Sequence, residues 1–200
     1  MLPKPTDDLV KEMCEEFDRD SWTKIGEESL RQLREQFPRN TETSHVLIKT
    51  LVLNKLYSTR IDDVDVLPLA RHIAGLGIDL LLDEGSLDAV RLIYECPELK
   101  KMYYSFATKF CSWHNPTAYP IYDHYVDVCL WSYKQQDGFA DFHRQDLGYY
   151  DKLVPVLSAF CKHYDLKSLS HRDLDKFLWL SGYRILSATV PQSVESAPAP

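Results

Sequence analysis

Apolar residues recur three or four positions apart along most of this 200-residue chain, and this helical spacing constrains its fold more than any other feature. The sequence has only seven glycines and no convincing run of alternating apolar and polar residues of the kind that forms strands. These patterns predict an all-α protein with about ten helices in one or two packed lobes. Because a chain of this length buries roughly 70% of its unfolded surface in one core, we expect residues 1–186 to form a single helical domain.

Local signals set several helix boundaries. Pro38 ends a helix predicted over 27–37, because proline cannot continue a helix. Ser170 followed by Asp173 forms a variant of the capping box before the last helix. The segment 41–57 is apolar on too many sides for a surface helix, which predicts a central buried helix, and the Pro-, Ser- and Ala-rich tail 187–200 is expected to be disordered. Further helices are predicted over 8–17, 66–75, 99–113, 123–133, 147–164 and 173–183. One more helix is predicted to begin at about residue 86.

Composition argues against several classes of site. The five cysteines are widely spaced and never form a C-x-x-C pair, which predicts reduced, mostly buried thiols rather than disulfides or a zinc or iron–sulfur centre. His114, Asp123 and His124 match no established ligand spacing, so we expect no metal. Without a glycine-rich phosphate loop or a nucleophile elbow, we expect no cofactor and no nucleotide-driven chemistry.

Charge and hydropathy limit the partners. The net charge of −7 disfavours non-specific coating of nucleic acid, although it leaves room for a local basic face around one cleft. The acidic segment 1–20 lacks an apolar run, and no stretch approaches the ~20 apolar residues that a bilayer requires. We therefore expect no membrane partner and a cytoplasmic location.

The segment 107–123, ATKFCSWHNPTAYPIYD, carries the best functional clue. It combines a small-residue helix, an Asn115-Pro116 turn, the pair Tyr119-Pro120 and an aspartate that opens the next helix. This order resembles the helix-hairpin-helix DNA glycosylase superfamily, in its 8-oxoguanine-glycosylase-like fold. The resemblance implies that Asp123 faces the sugar of a flipped nucleotide.

Asp123 has two possible roles at this position. Breaking an N-glycosidic bond builds positive charge on the sugar, so a fixed carboxylate near C1′ lowers the barrier and can activate water. Aspartate is also among the preferred residues at a helix N-cap, so Asp123 has a purely structural alternative. Catalysis predicts a carboxylate that faces a solvent-reachable cleft.

Two departures from the family pattern limit the resemblance. The glycine-rich hairpin that normally precedes the small-residue helix is replaced by 96–102, CPELKKM. Ser105 stands where bifunctional members carry a Schiff-base lysine, which predicts a monofunctional enzyme. Lys109 lies one turn after Ser105 on the same helix face. Three interpretations of Lys109 stay open: a displaced catalytic amine, a phosphate contact or a solvated surface lysine.

Other candidates for DNA or base binding flank this segment. The resemblance places a wedge near 54–61, where Asn54 could bond a base and Tyr57 or Arg60 could fill the gap left by an extruded base. Alternatively, Asn54 ties down the helix end and Tyr57 is core. An aromatic pocket that sandwiches a base is expected from Trp113, His114 and Trp179, with core packing as the alternative for Trp179.

Together these features predict a monofunctional DNA glycosylase that excises a damaged or modified base, with DNA as its partner. The resemblance allows repair of oxidised purines or host defence against hypermodified phage DNA, and the acidic chain favours specialised substrates. The alternative is a catalytically inactive helical binding module for protein or nucleic acid, which a broad apolar surface would indicate.

Overall fold

The computed structural model of the chain describes residues 1–167 and 169–189. Within them it contains ten α-helices, a short 3-10 helix and no strand, so the all-α prediction is confirmed. None of the described helices is both long and apolar enough to span a bilayer. The helices are α1 Asp7–Phe17, α2 Ser21–Gln36, α3 Thr43–Leu56, α4 Asp63–Gly75, α5 Asp79–Glu84, α6 Asp88–Tyr94, α7 Tyr104–His114, α8 His124–Asp137, the 3-10 helix Arg144–Gly148, α9 Tyr150–His163 and α10 His171–Thr189.

The helices form two compact units. The first contains residues 1–20 and the described residues from 120 onward, and therefore holds α1, α8, the 3-10 helix, α9 and α10. The second, 21–119, holds α2 to α7. A single domain over 1–186 stays a prediction. Residues 187–189 belong to α10, which corrects the predicted start of the tail, and the rest of the predicted tail, 190–200, lies outside the described residues.

In the first unit, α10 packs on both α1 and α8. Its core is aromatic, with the Tyr133 and Phe160 ring centroids 5.4 Å apart and Phe177 fully buried beside them. Gly182 allows α10 to approach α8 closely, because a Cβ at this position would overlap the carbonyl oxygen of Tyr125. This contact fixes α10 against the start of α8.

In the second unit, α3 packs against α4 and α6 against α7. The prediction that α3 is a central buried helix is wrong: Val46 and Leu53 are buried, but Leu51 is 50% exposed. The buried face includes Lys49, whose Nζ donates to the Asn40 side chain at 2.8 Å and to the Arg39 carbonyl at 2.9 Å. Burial lowers the pKa of Lys49 to about 8.

Helix boundaries depart from prediction where local signals are weak. The helix α2 begins at Ser21 rather than at 27, and α7 begins at Tyr104 rather than at 99. Short α5 was not predicted, because six residues are too few to establish a helical period. The capping box of α10 is confirmed: the Ser170 N–H donates to Asp173 Oδ2, and the Asp173 N–H donates to Ser170 Oγ, both at 3.1 Å.

The cysteines behave as predicted. All five are free thiols, and Cys96, Cys111 and Cys129 are buried. Burial raises the pKa values of Cys111 and Cys129 well above the ordinary value, so both thiols are protonated and unreactive at neutral pH.

Candidate active site at the start of helix α8

The loop that leads from α7 toward Asp123 is fixed by side-chain hydrogen bonds within the second unit. Asn115 Nδ2 donates to the Leu82 carbonyl at 3.1 Å, and Asn115 Oδ1 accepts from Thr117 Oγ1 at 2.8 Å. Tyr119 is fully buried, and its hydroxyl lies 2.8 Å from a backbone carbonyl of α5. The last residues of the second unit therefore have a defined conformation.

On the other side of the unit boundary, the first unit holds the same loop through α9. Tyr150, the first residue of α9, donates its hydroxyl to the Pro120 carbonyl at 2.9 Å. Both Tyr150 and Ile121 are buried. The backbone three residues before Asp123 is thus anchored, which positions the start of α8.

Asp123 is the N-cap of α8. Its Oδ1 accepts from the N–H groups of Tyr125 at 2.9 Å and Val126 at 3.0 Å, which satisfies two of the unpaired amides of the first turn. The capping role considered from the sequence is therefore confirmed. The residue is only 7% exposed, which does not match the open carboxylate that catalysis was expected to need.

A second carboxylate lies one turn further along α8. Asp127 is buried, and its Oδ1 accepts from Arg144 Nε at 2.7 Å and Nη2 at 2.5 Å. The Tyr122 hydroxyl lies 3.4 Å from Asp127 Oδ2. Burial, reinforced by the Asp127 charge, raises the pKa of Tyr122 to about 12, so Tyr122 is a neutral donor at pH 7.

Trp179 belongs to a half-buried aromatic cluster beside the start of α8. Its ring is parallel to that of Tyr183, with centroids 5.6 Å apart, and meets Tyr125 edge-on at 5.0 Å and Phe17 at 5.5 Å. All four rings keep partial exposure. Trp179 therefore contributes to packing while part of the cluster faces solvent.

Asn54 ties down the end of α3, as its structural alternative predicts. Its Oδ1 accepts from Thr59 Oγ1 at 2.8 Å and from the Ile61 N–H at 3.0 Å, and its Nδ2 donates to the Ile61 carbonyl at 3.2 Å. These bonds hold a turn in which Ser58 and Arg60 both have left-handed backbone, with φ of 49° and 57°. Arg60 is exposed at this turn.

Lys109 is buried, so its interpretation as a solvated surface lysine is wrong. Its Nζ donates to the Tyr57 carbonyl at 3.3 Å and lies 5.7 Å from the Tyr57 ring centroid. Ser105 lies one turn earlier on α7 and is half-buried. The helix α7 therefore brings Lys109 to the turn after α3.

Trp113 and His114 pack within the second unit. Trp113 is buried and donates Nε1–H to the Leu30 carbonyl at 3.1 Å. The His114 ring lies 4.8 Å from Phe110 and 4.6 Å from Trp113, and its buried Nε2 has no hydrogen-bond partner in the part of the chain that the structure describes. Burial and the nearby cations lower the pKa of His114 to about 3, so it is neutral at pH 7.

The predicted site residues are divided between the two units. Asp123 and Trp179 lie in the first unit, both in contact with Tyr125. The second unit contains the other seven: Asn54, Tyr57, Arg60, Ser105, Lys109, Trp113 and His114.

Sequence reasoning missed the Asp127–Arg144 pair. The four-residue spacing from Asp123 could have indicated Asp127, because residues four apart share one face of a helix. Arg144 gave no such signal, since it lies 17 residues from Asp127 across an irregular segment. The tie between Tyr150 and Pro120 was missed for the same reason.

These features define an all-helical protein of two compact units with a capped, buried aspartate at the start of α8. Residues 9–118 match the HI_0787_N family, which is described as an N-terminal domain. The match spans more than half of the chain, and the protein belongs to this family. An "Uncharacterized protein" of Haemophilus influenzae is 40% identical over 143 residues, which cover 70% of this chain and 67% of that protein. No solved structure is significantly similar to the chain.

The family match ends close to a structural boundary. It stops at residue 118, next to the end of the second unit at 119, but it begins within α1 of the first unit. Asp123, Asp127 and Arg144 all lie beyond it. The family match therefore does not include the residues at the start of α8.

Proposed function

We propose that the protein is a monofunctional DNA glycosylase, which hydrolyses the N-glycosidic bond of a damaged or modified nucleotide and leaves an abasic site. The observation that carries the proposal is Asp123, a largely buried carboxylate held at the N-terminus of α8 behind an anchored Tyr-Pro-Ile-Tyr loop. The place of Asp123, which opens a helix directly after an aromatic-Pro-Ile-x segment, is the place of the aspartate in the helix-hairpin-helix glycosylases that the sequence resembles.

The chemistry requires a negative charge fixed before the substrate arrives. Two backbone amides hold Asp123 Oδ1 at 2.9 and 3.0 Å, which limits rotation of the carboxylate. Low exposure keeps water from screening the charge, so its attraction to a developing sugar cation is stronger than in bulk solvent. In this proposal the Asp123 carboxylate faces the sugar and accepts the proton of the attacking water.

The aromatic cluster supports a role for the first unit in holding a base. Tyr125 follows Asp123 by two residues, and its ring contacts Trp179 at 5.0 Å. Tyr183 extends the cluster by stacking on Trp179. An extruded base gains stacking energy on partly exposed rings of this kind, which are sequence-tolerant because every base has a π-face.

The environment of α7 supports hydrolysis without a covalent lysine intermediate. Ser105 occupies the position of the Schiff-base lysine and has no amine. Lys109 is buried and donates to the Tyr57 carbonyl. We assign Lys109 to the positioning of the turn after α3.

The experiment uses the purified full chain and a panel of genomic DNAs that includes phage DNA with modified cytosines. Abasic sites are scored with an aldehyde-reactive probe. The proposal predicts that at least one DNA accumulates abasic sites in proportion to enzyme and time, and that Asp123→Asn slows this accumulation by on the order of 10² or more. A panel with no abasic sites on any DNA would contradict it.

A helical binding module is the second candidate, because the second unit exposes apolar side chains on two helices that pack together. Trp22 and Ile25 on α2, and Ile48 and Leu51 on α3, are all exposed. Exposed apolar surface of this type is typical of protein interfaces. The module predicts no abasic sites on any DNA and binding of a protein partner that Ile25→Asp weakens.

A further inference from the structure

We infer that Arg144 and Tyr149 form a binding surface for a single DNA strand beside Asp123, with a phosphate on Arg144 and an unpaired base stacked on Tyr149. The inference rests on the proposed function, because it identifies the strand contacts next to the proposed catalytic carboxylate. It depends on residues of the first unit alone.

Arg144 is a guanidinium held in one orientation by a buried partner. Its Nε and Nη2 donate to the same Asp127 oxygen, and the Asp127 side chain is 12% exposed whereas that of Arg144 is 47% exposed. Within residues 1–167 and 169–189, the hydrogen bonds from Arg144 to Asp127 use Nε and Nη2 but not Nη1. A planar guanidinium fixed along one edge, with N–H donors left on the other, suits a phosphate oxygen.

Tyr149 presents an aromatic ring to solvent five residues later. The residue is 54% exposed, and Lys152 Nζ lies 5.1 Å from its ring centroid. Lys152 is in turn held by Asp146 at 2.6 Å. An exposed ring beside a cation is the combination on which unpaired bases stack in single-strand binding proteins.

Two contacts place this surface next to Asp123. The Arg144–Asp127 pair joins it to α8 four residues after Asp123, a rise of about 6 Å along the helix. Tyr150 directly follows Tyr149 in the sequence and donates its hydroxyl to the Pro120 carbonyl, three residues before Asp123. A strand bound through Arg144 and Tyr149 therefore runs past the start of α8.

The charge around the surface predicts weak, salt-sensitive binding. The chain carries a net charge of −7, and the exposed residues Asp141 and Asp151 flank the segment. We therefore expect few phosphate contacts. Because the slope of log K against log salt scales with the number of these contacts, the loss of one should change that slope by a large fraction.

The test measures binding of the full chain to a fluorescein-labelled 20-nucleotide DNA strand by anisotropy at several salt concentrations. Arg144→Gln should weaken binding by about tenfold and reduce the slope of log K against log salt by about 0.7, the value for one phosphate contact on a single strand. Tyr149→Ala should weaken binding at least about fivefold, whereas Tyr149→Phe should bind normally. Arg184→Gln removes another half-exposed arginine–carboxylate pair of the first unit and should change neither quantity.

The inference is overturned if the wild-type chain does not bind the strand, if both Tyr149 variants bind equally, or if Arg184→Gln matches Arg144→Gln. If Arg144→Gln fails to fold, the comparison of Tyr149→Ala with Tyr149→Phe still tests the surface, because Tyr149 is exposed and its substitution should not disturb folding. Abasic-site formation separates this inference from the proposed function. Strand binding with these variant effects but no abasic sites supports the surface and refutes the glycosylase, whereas unchanged base release in Arg144→Gln and Tyr149→Ala refutes the surface alone.

Discussion

Mild acid should destabilise this protein through one histidine. The His114 ring lies against the rings of Phe110 and Trp113, its Nε2 is buried, and Lys49 and Arg34 add nearby positive charge. Burial and these cations lower its pKa from 6.5 to about 3. Folding therefore keeps His114 neutral at pH values where the unfolded chain binds a proton there.

The sign and size of the effect follow from this difference. Between the two pKa values the unfolded state holds one more proton than the folded state, so stability falls as the pH falls from about 6.5 toward about 3 and changes no further below that. At pH 5 the unfolded imidazole is almost fully protonated, while the folded one is almost fully neutral. The free energy of unfolding should drop by about 2 kcal/mol from this residue between about pH 7.5 and about pH 5.

Urea unfolding at the two pH values measures this loss, with His114→Phe as the matched variant. Phenylalanine keeps a ring of similar size among aromatic neighbours and cannot titrate. Carboxylates and the other histidines contribute equally to both proteins, so they cancel in the difference. The wild type should lose about 2 kcal/mol more than His114→Phe on acidification. Equal losses would refute the argument that His114 is buried and neutral.

The remaining predictions concern packing, the strained turn and covalent chemistry. Gly182→Ala should lower the free energy of unfolding in urea by about 2 kcal/mol or more, because the new Cβ overlaps a backbone carbonyl of α8. Gly148→Ala adds its Cβ in open space and should keep the free energy of unfolding within about 0.5 kcal/mol of the wild type. Asn54→Ala should lower the free energy of unfolding by about 2 kcal/mol and speed amide exchange at Ile61, because it removes three hydrogen bonds that hold two left-handed residues. Unchanged exchange would show that the turn keeps its conformation without the Asn54 side chain. Borohydride should trap no protein–DNA adduct during turnover, and a trapped band lost in Lys109→Ala would refute the monofunctional assignment.

Features set by residues within a few positions were predictable from the sequence. The capping box of Ser170 and Asp173 and the cap formed by Asp123 depend only on side chains that reach amides two or three residues away. The end of α2 before Pro38 has the same local origin. Helix number and class follow from many such signals taken together.

Features set by distant partners were not predictable. Lys49 of α3 is buried because the Arg39 carbonyl and the Asn40 side chain supply acceptors for its amine. Leu51 on the same helix is exposed, and the spacing of apolar residues in the sequence reveals neither fact. Arg144 acquires its orientation from Asp127 across an irregular segment. Burial of Lys109 likewise depends on the turn after α3, where the Tyr57 carbonyl accepts from its amine.

The stability of the Asp123 variant must be known before its activity is interpreted. Asparagine caps helices about as well as aspartate, so Asp123→Asn should keep the urea midpoint of the wild type. DNA binding should persist or tighten, because a negative charge near the phosphates has been removed. Asp8→Asn removes the same charge from an exposed position of the first unit and serves as the matched control.

The rate of base release in a single turnover tests the central claim most directly, on a DNA that the wild-type protein converts to abasic sites. If Asp123 stabilises the sugar cation, Asp123→Asn should slow release by on the order of 10² or more, while Asp8→Asn releases the base at the wild-type rate. Full activity in a normally folded Asp123→Asn protein would contradict the account, because the carboxylate would then serve only as the cap of α8.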